Sequence, residues 1–337
     1  MPLKERLLIQ RIRRLATRQK DSVRAGIGDD CALLSLPRGH QVLVTTDFSL
    51  ENVHFRREWH PPDAVGHRCL TRGLSDIAAM GGVPVAAFLS LALPPELPQK
   101  WVDEFLRGLL KLARRHSLPL AGGDTAQSPG GVLADITVLG SVPAGKAVLR
   151  SGARPGDLIY VTGSLGSSLA ALNELRDGKK LKPAAHAKHF YPEPRVAVGR
   201  WLRDKKLATA MIDISDGLST DLSHICEESK VGAVVYEKML SSVGRSSRFV
   251  SGHGFSRAES VAQRSRALAP DVLELALHGG DEYELLFTAR PDRRVPKEIA
   301  GVSVTRIGET VRGRGMKLKK GDGSVTSLRP AGWEHFG

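Results

Sequence analysis

The segment Met211 to Leu222, MIDISDGLSTDL, sets three carboxylates, Asp213, Asp216 and Asp221, among Ile, Leu, Ser and Gly with no lysine or arginine between them. A solvated helix scatters cations among such acids, and the chain as a whole carries a formal charge of +13. Acids in similar settings recur at Asp29 and Asp30 (GIGDD), Asp47 (VTTDF), Asp76 (LSDIAAM) and Asp124 (AGGDT). One such Asp is usually a turn former or a helix cap. Several together repel one another at low dielectric, so a shared site needs cations. Oxygen-only donors suit Mg²⁺ rather than zinc, and Thr45 and Thr46 add oxygens beside Asp47. Mg²⁺ held by a few carboxylates, with its remaining positions open, is how proteins bind polyphosphates. The expected balancing charge is therefore Mg²⁺ arriving with a nucleotide.

Other signatures fail. GSVPAGKA, residues 140–147, has phosphate-loop spacing as far as Lys146, but Ala147 replaces the required hydroxyl residue. GSLGSS, residues 163–168, lacks the third glycine of a dinucleotide loop and reads as a plain strand-to-helix turn. No GxSxG occurs, so a hydrolase nucleophile has no support.

The elements that must position the acids follow from periodicity. Val42 to Val44 reads as a strand ended by Thr45, Thr46 and Asp47, and residues 85–93, 133–142 and 158–162 read as further strands. His67 to Met80 and Trp101 to His116 have helical spacing, and helices are expected over 168–176, 193–206 and from Gly217. Strands are expected near 231–236, 283–288 and 302–307, and residues 241–267, rich in Ser, Arg and Gly, read as a mobile surface insertion. Turn chemistry near 143–156 marks a boundary, giving domains at 1–148 and 149–337. Each half has an Asp-rich turn and a later Gly-Gly-Asp, an echo that suggests two related α/β halves.

Composition narrows the class. At 337 residues with 41% hydrophobic and 25% charged content, the chain can bury real cores. The basic N-terminus, KERLLIQRIRRLATRQK, reads as an amphipathic helix with a solvated face. With 5% aromatic residues there is no base-stacking platform, so nucleic acid is not an expected partner. Cys31, Cys69 and Cys226 are far apart and fit a reducing compartment. Neither a signal peptide nor a membrane-length apolar run occurs, which points to the cytoplasm and no membrane contact.

GIGDDCALL, TTDFSLENVHF, LSDIAAMGG, AGGDT, RSGARPGD and DISDGLSTDL occur in the order found in the thiamine-monophosphate kinase family, which the chain resembles from about residue 20 onward. The resemblance implies an α/β (α+β), two-domain fold of the aminoimidazole ribonucleotide synthetase-like kind. Its N-terminal domain would bind ATP and Mg²⁺ and pair through β-strands in a homodimer; the C-terminal α/β domain would close over the nucleotide. It also implies a transferase of thiamine biosynthesis, phosphorylating thiamine monophosphate to thiamine diphosphate with ATP as co-substrate and Mg²⁺ as cofactor.

Carried over by motif, Asp30, Thr45, Thr46, Asp47, Asp76, Asp124, Asp213 and Asp216 would hold Mg²⁺. Gly123, Asp124, Arg150 and Ser215 would contact ATP, with Asp47, Asp124, Arg150 and Asp216 central to catalysis. His54, Asp281 and Trp333 would meet thiamine monophosphate. The chain departs from the family pattern at Asn52 (usually Gly), Gly73 (usually Asn), Asp281-Glu282 (usually Glu-Asp) and Leu106 (often Tyr). The alternatives are a related ATP-dependent phosphotransferase with another small acceptor, or a noncatalytic module using the basic charge and the 241–267 insertion.

Overall fold

The structure, a computed structural model, describes residues 1–16, 22–28, 30–241, 243 and 270–335. Asp29 and nearly all of the 241–267 insertion lie outside the described residues. The chain forms two compact units, Met1–Ala147 with Lys182–Val196, and Val148–Leu181 with Ala197–Gly337.

The first unit contains α1 (Glu5–Leu15), β1 (Val23–Ala25), β2 (Leu33–Leu34), β3 (His40–Leu50), α2 (Pro62–Ala79), β4 (Val83–Leu93), α3 (Gln99–Arg115), β5 (Leu120–Gln127) and β6 (Leu133–Pro143). A short α5 (Ala187–Phe190) also belongs to it. The main sheet runs β3-β6-β4-β5, antiparallel except for the parallel β4–β5 pair. The helices α2 and α3 pack together closely because glycines face the crossing. A Cβ on Gly66 would lie 2.0 Å from Phe105 O, and one on Gly108 1.9 Å from Asp63 O. Leu106 is fully buried in this core, where it packs and does not stack on a ligand.

Two sequence expectations change here. β3 continues through Thr45, Thr46 and Asp47 to Leu50, in register with β6 along its whole length. β-Branched and aromatic residues favour the pleated surface, and each new cross-strand pair extends the ladder. Asp47 therefore lies within a strand. AGGDT, residues 121–125, is part of β5. The second change is the excursion 182–196, which sequence reading placed with the C-terminal half. It packs on α2: His67 Nε2 lies 2.7 Å from Pro192 O, and the buried His60 and His189 face each other at 3.1 Å.

The second unit contains β7 (Leu158–Thr162), α4 (Ser167–Arg176), α6 (Val196–Asp204), β8 (Ala210–Asp213), α7 (Leu218–Ser229), β9 (Gly232–Tyr236) and α8 (Glu237–Leu240). After these come α9 (Pro270–His278), β10 (Leu285–Ala289), β11 (Glu298–Ile299), β12 (Val302–Val311), β13 (Met316–Lys319) and β14 (Val325–Leu328). Its sheet runs β14-β13-β9-β12-β7-β10-β8, with β11 on β12. Ile159, Val161, Ile212, Ile214, Leu286 and Ile307 fill the core beneath it. The end of β8 and the start of α7 are thus fixed by a buried strand on one side and a packed helix on the other.

Candidate active site

In the first unit the acids are placed by strand alternation, since residues paired in register point to one face of a sheet. Asp47 is in a row with Ile136, Leu89 and Gly123. Thr45 is on the same face, and its Oγ1 donates a short hydrogen bond to the Asp76 carboxylate on α2. The neighbouring row, on the opposite face, reads Phe48, Asp135, Ser90 and Asp124. Thr46 Oγ1 donates to Asp135 at 2.7 Å, and Asp124 accepts the Thr125 N–H at 2.8 Å. β3 and β5 are the two edges of this sheet, so Asp47 and Asp124 stand on strands separated by β6 and β4. Asp30, in the loop between β1 and β2, is exposed.

Among the described residues no three His, Cys, Asp or Glu side chains converge. The oxygen donors that do meet are carboxylate–threonine pairs, Asp76 with Thr45 and Asp135 with Thr46. That donor set fits Mg²⁺, which keeps several waters and takes few protein carboxylates.

Gly123 has a φ of 145° and a Cβ there would lie 1.8 Å from Leu89 O, so only glycine fits against β4. His54 follows β3, with its Nδ1 accepting the Leu50 N–H at 3.0 Å, which leaves the proton on Nε2. Asn52 has a φ of 67°, a left-handed conformation that Asn tolerates, which accounts for its standing where glycine is usual. At Gly73 a Cβ would lie 2.6 Å from Val138 Cγ2, so Val138 fills the space an Asn side chain needs.

Sequence reading missed Asp135 and Arg72. Burial pushes the Cys69 thiol up to about 12, while Arg72, Asp135 and Asp47 act on it as surrounding charges. A buried thiol held neutral in this way is inert. The alternation in LADITV, with Asp135 and Thr137 on the polar face, was the available signal for Asp135.

In the second unit the structure brings together five predicted residues around one turn. Ile214 N–H bonds Glu284 O at 2.8 Å, Tyr283 N–H bonds Ile214 O at 2.9 Å, and Asp281 N–H bonds Ser215 O at 2.7 Å. From the C-terminal tail, Trp333 N–H bonds Asp216 O at 3.0 Å. Asp213, Ser215, Asp216, Asp281 and Trp333 thereby share one neighbourhood. Glycines make the approach possible: a Cβ would lie 2.6 Å from Ser215 O at Gly280 and 1.9 Å from Asp216 O at Gly332. Asp281 has a φ of 56°, which Asp adopts more readily than a longer acid, and its Oδ1 accepts the Tyr283 hydroxyl at 2.6 Å. The Trp333 ring is exposed and meets His335 edge-on.

Asp221, the third acid of the opening motif, braces the turn. Its Oδ2 accepts the N–H groups of Asp216 at 3.2 Å and Gly217 at 3.1 Å. Burial first, then the charges of Asp213 and Asp216, holds its carboxyl well above the ordinary range. Glu282 is buried, and its Oε1 accepts the N–H groups of Gly166 and Ser168 at 2.8 and 3.1 Å. This carboxylate of the chain itself caps α4, so GSLGSS is a helix start and not a phosphate cradle. It also leaves Asp281, and not Glu282, facing the turn. The Arg150 side chain is exposed and pairs with none of the other described residues, while its carbonyl accepts the Ser229 hydroxyl at 2.7 Å.

Two domains of this architecture, each with its acids at a sheet or a strand-to-helix turn, define a class. Residues 28–142 match the N-terminal domain model of the AIR synthase related proteins, and residues 154–321 match the C-terminal one. Thiamine-monophosphate kinase of Escherichia coli is 37% identical over 93% of this chain and 92% of its own length. The crystal structure of thiamine-monophosphate kinase from Stenotrophomonas maltophilia superposes with a TM-score of 0.77 at 35% identity, covering 97% of this chain and 99% of that one. A structure of AaThiL complexed with AMPPCP and TMP gives 0.72 at 29% identity, covering 100% and 99%. The chain belongs to the AIR synthase related family and, within it, to the thiamine-monophosphate kinases.

Proposed function

We propose that this chain phosphorylates thiamine monophosphate with ATP, giving thiamine diphosphate and ADP by direct in-line transfer of the γ-phosphate. The observation that carries the reading is the clamped turn, which holds Asp213, Ser215 and Asp216 beside Asp281 and the exposed Trp333 ring. A carboxylate next to an aromatic face suits a thiazolium cation. Asp281, oriented by the Tyr283 hydroxyl, supplies the charge and Trp333 the stacking surface. His54, with its proton on Nε2, offers a donor to the substrate.

Asp30, Thr45, Thr46, Asp47, Asp76, Asp124, Asp213 and Asp216 serve as the Mg²⁺ ligands, a role supported by the oxygen-only chemistry of their side chains. Bound Mg²⁺ neutralises and orients the polyphosphate. Gly123 and Ser215 contribute close backbone or hydroxyl contacts to the nucleotide, and the exposed charge of Arg150 stabilises the transferring group. The acceptor phosphate is already largely ionised near neutral pH, so positioning and charge neutralisation suffice without a strong general base.

The exposed apolar face of β3, with Val42, Val44 and Phe48, together with its position at a sheet edge, supports pairing of two copies through this strand. Free cysteines and the absence, among the described residues, of a helix long and apolar enough to cross a membrane support action in the cytoplasm. The test is incubation of the purified protein with ATP, MgCl₂ and thiamine monophosphate, following products by chromatography. Thiamine diphosphate and ADP should appear in equal amounts and vanish with EDTA. ATP binding without thiamine diphosphate would instead favour a related phosphotransferase with another acceptor.

A further inference from the structure

A solvent-open cavity of about 940 Å³ lies in the second unit, between α7, the start of β13 and the edge strand β14. We propose that it is a second ligand site, built for a small anionic molecule with an apolar body. α7 begins at the clamped turn, and the cavity lies along its later part from Ser223 to Lys230, lined by none of Asp213, Ser215, Asp216, Asp281 and Trp333.

Its floor is apolar, since Cys226, Val231, Met316 and Leu328 line it and are each buried. Burial pushes the Cys226 thiol up to about 11, so it serves as lining and not as a nucleophile. The rim carries Lys230, Arg314, Lys317 and Arg329 against one acid, Glu227. Among the described residues none of these four side chains has an ion pair or hydrogen bond. Elsewhere the chain does pair cations where acids are at hand, as Arg11 with Asp103 at 2.5 Å and Arg57 with Glu51 at 2.5 Å.

The negative end of α7 does not reverse this preference. The carbonyls of Glu227 and Cys226 already accept the N–H groups of Lys230 and Val231 at 3.2 and 3.0 Å, so they offer little to a cation. The volume lies within the range of small-molecule sites, roughly 300–1,000 Å³. Four cations against one acid select an anion, and the floor selects a ring or short acyl body over a bare inorganic ion. None of these groups belongs to the kinase machinery, so the site would persist whatever acceptor the enzyme uses.

Anilinonaphthalene sulfonate, which joins an apolar ring system to one anionic group, is a suitable probe. Its fluorescence should be titrated against the full chain in the presence of saturating ATP, Mg²⁺ and thiamine monophosphate. One saturable site is expected. Its Kd should rise by about tenfold in Arg314→Glu/Lys317→Glu, a double reversal of rim charge. The exposed lining residue Thr326, replaced as Thr326→Trp, should fill the cavity and remove binding. Turnover should stay unchanged in both variants. Absence of saturable binding, or equal binding by wild type and both variants, would overturn the proposal.

Discussion

In the first unit Thr45, Asp47 and Asp135 are placed by strand register, whereas in the second Asp213, Ser215 and Asp216 sit on a turn that two other segments clamp. The two arrangements fail in different ways. A strand row tolerates changes of side chain as long as pairing holds, because the backbone ladder sets its position. The turn depends on main-chain contacts closer than any Cβ allows, so its weak points are Gly280 and Gly332, which carry no chemistry themselves. A carboxylate lost from either region removes charge stabilisation; a methyl group added at the second removes geometry.

The largest expected effect is from the acids. Asp47→Asn and Asp216→Asn should each lower turnover by at least about 100-fold, the scale of one lost electrostatic contact in a phosphoryl-transfer site. Circular dichroism and thermal melting should show an intact fold, so near-normal rates in both would break the comparison at its root.

Gly332→Ala comes next, because its Cβ would lie 1.9 Å from Asp216 O and push the tail off the turn. The KM for thiamine monophosphate should rise about tenfold, equivalent to about 1.4 kcal/mol, with kcat changed much less. An unchanged KM would mean that Trp333 does not touch the substrate.

Asp221 then separates brace from ligand. Asp221→Ala leaves two N–H groups without their acceptor and should cost about 1–3 kcal/mol in chemical denaturation, while Asp221→Asn keeps an acceptor oxygen and should cost less. Equal losses would show that the charge, not the acceptor, matters. The smallest effect is expected at Asn52, whose φ of 67° suits glycine equally well. Asn52→Gly should shift stability by no more than about 1 kcal/mol.

What could be read from the chain divides along the same line. The turn was legible because Asp, Ser and Gly act locally, and the second Gly-Gly-Asp marked its partner segment. β7 was read at its observed bounds, Leu158–Thr162, since Asp157 and Gly163 punctuate it. Asp47 was read as a strand end because Thr45 and Thr46 break the apolar run, and only pairing with β6 reveals that the strand continues. The separation of Asp47 from Asp124 depends on strand order, which no local pattern encodes. The same holds for Glu282, whose role as a cap on α4 joins positions far apart in sequence. The packing of residues 182–196 on α2 was hidden for a similar reason, because His67 and Pro192 meet only in the folded unit.

The most direct measurement is the Mg²⁺ dependence of turnover at saturating ATP and thiamine monophosphate, compared among wild type, Asp76→Asn and Asp213→Asn. These variants probe one carboxylate in each region. Both should move the half-maximal Mg²⁺ concentration upward by about tenfold or more, as loss of a metal carboxylate does. Superimposable Mg²⁺ curves for all three proteins would contradict the assignment of these acids to the cation.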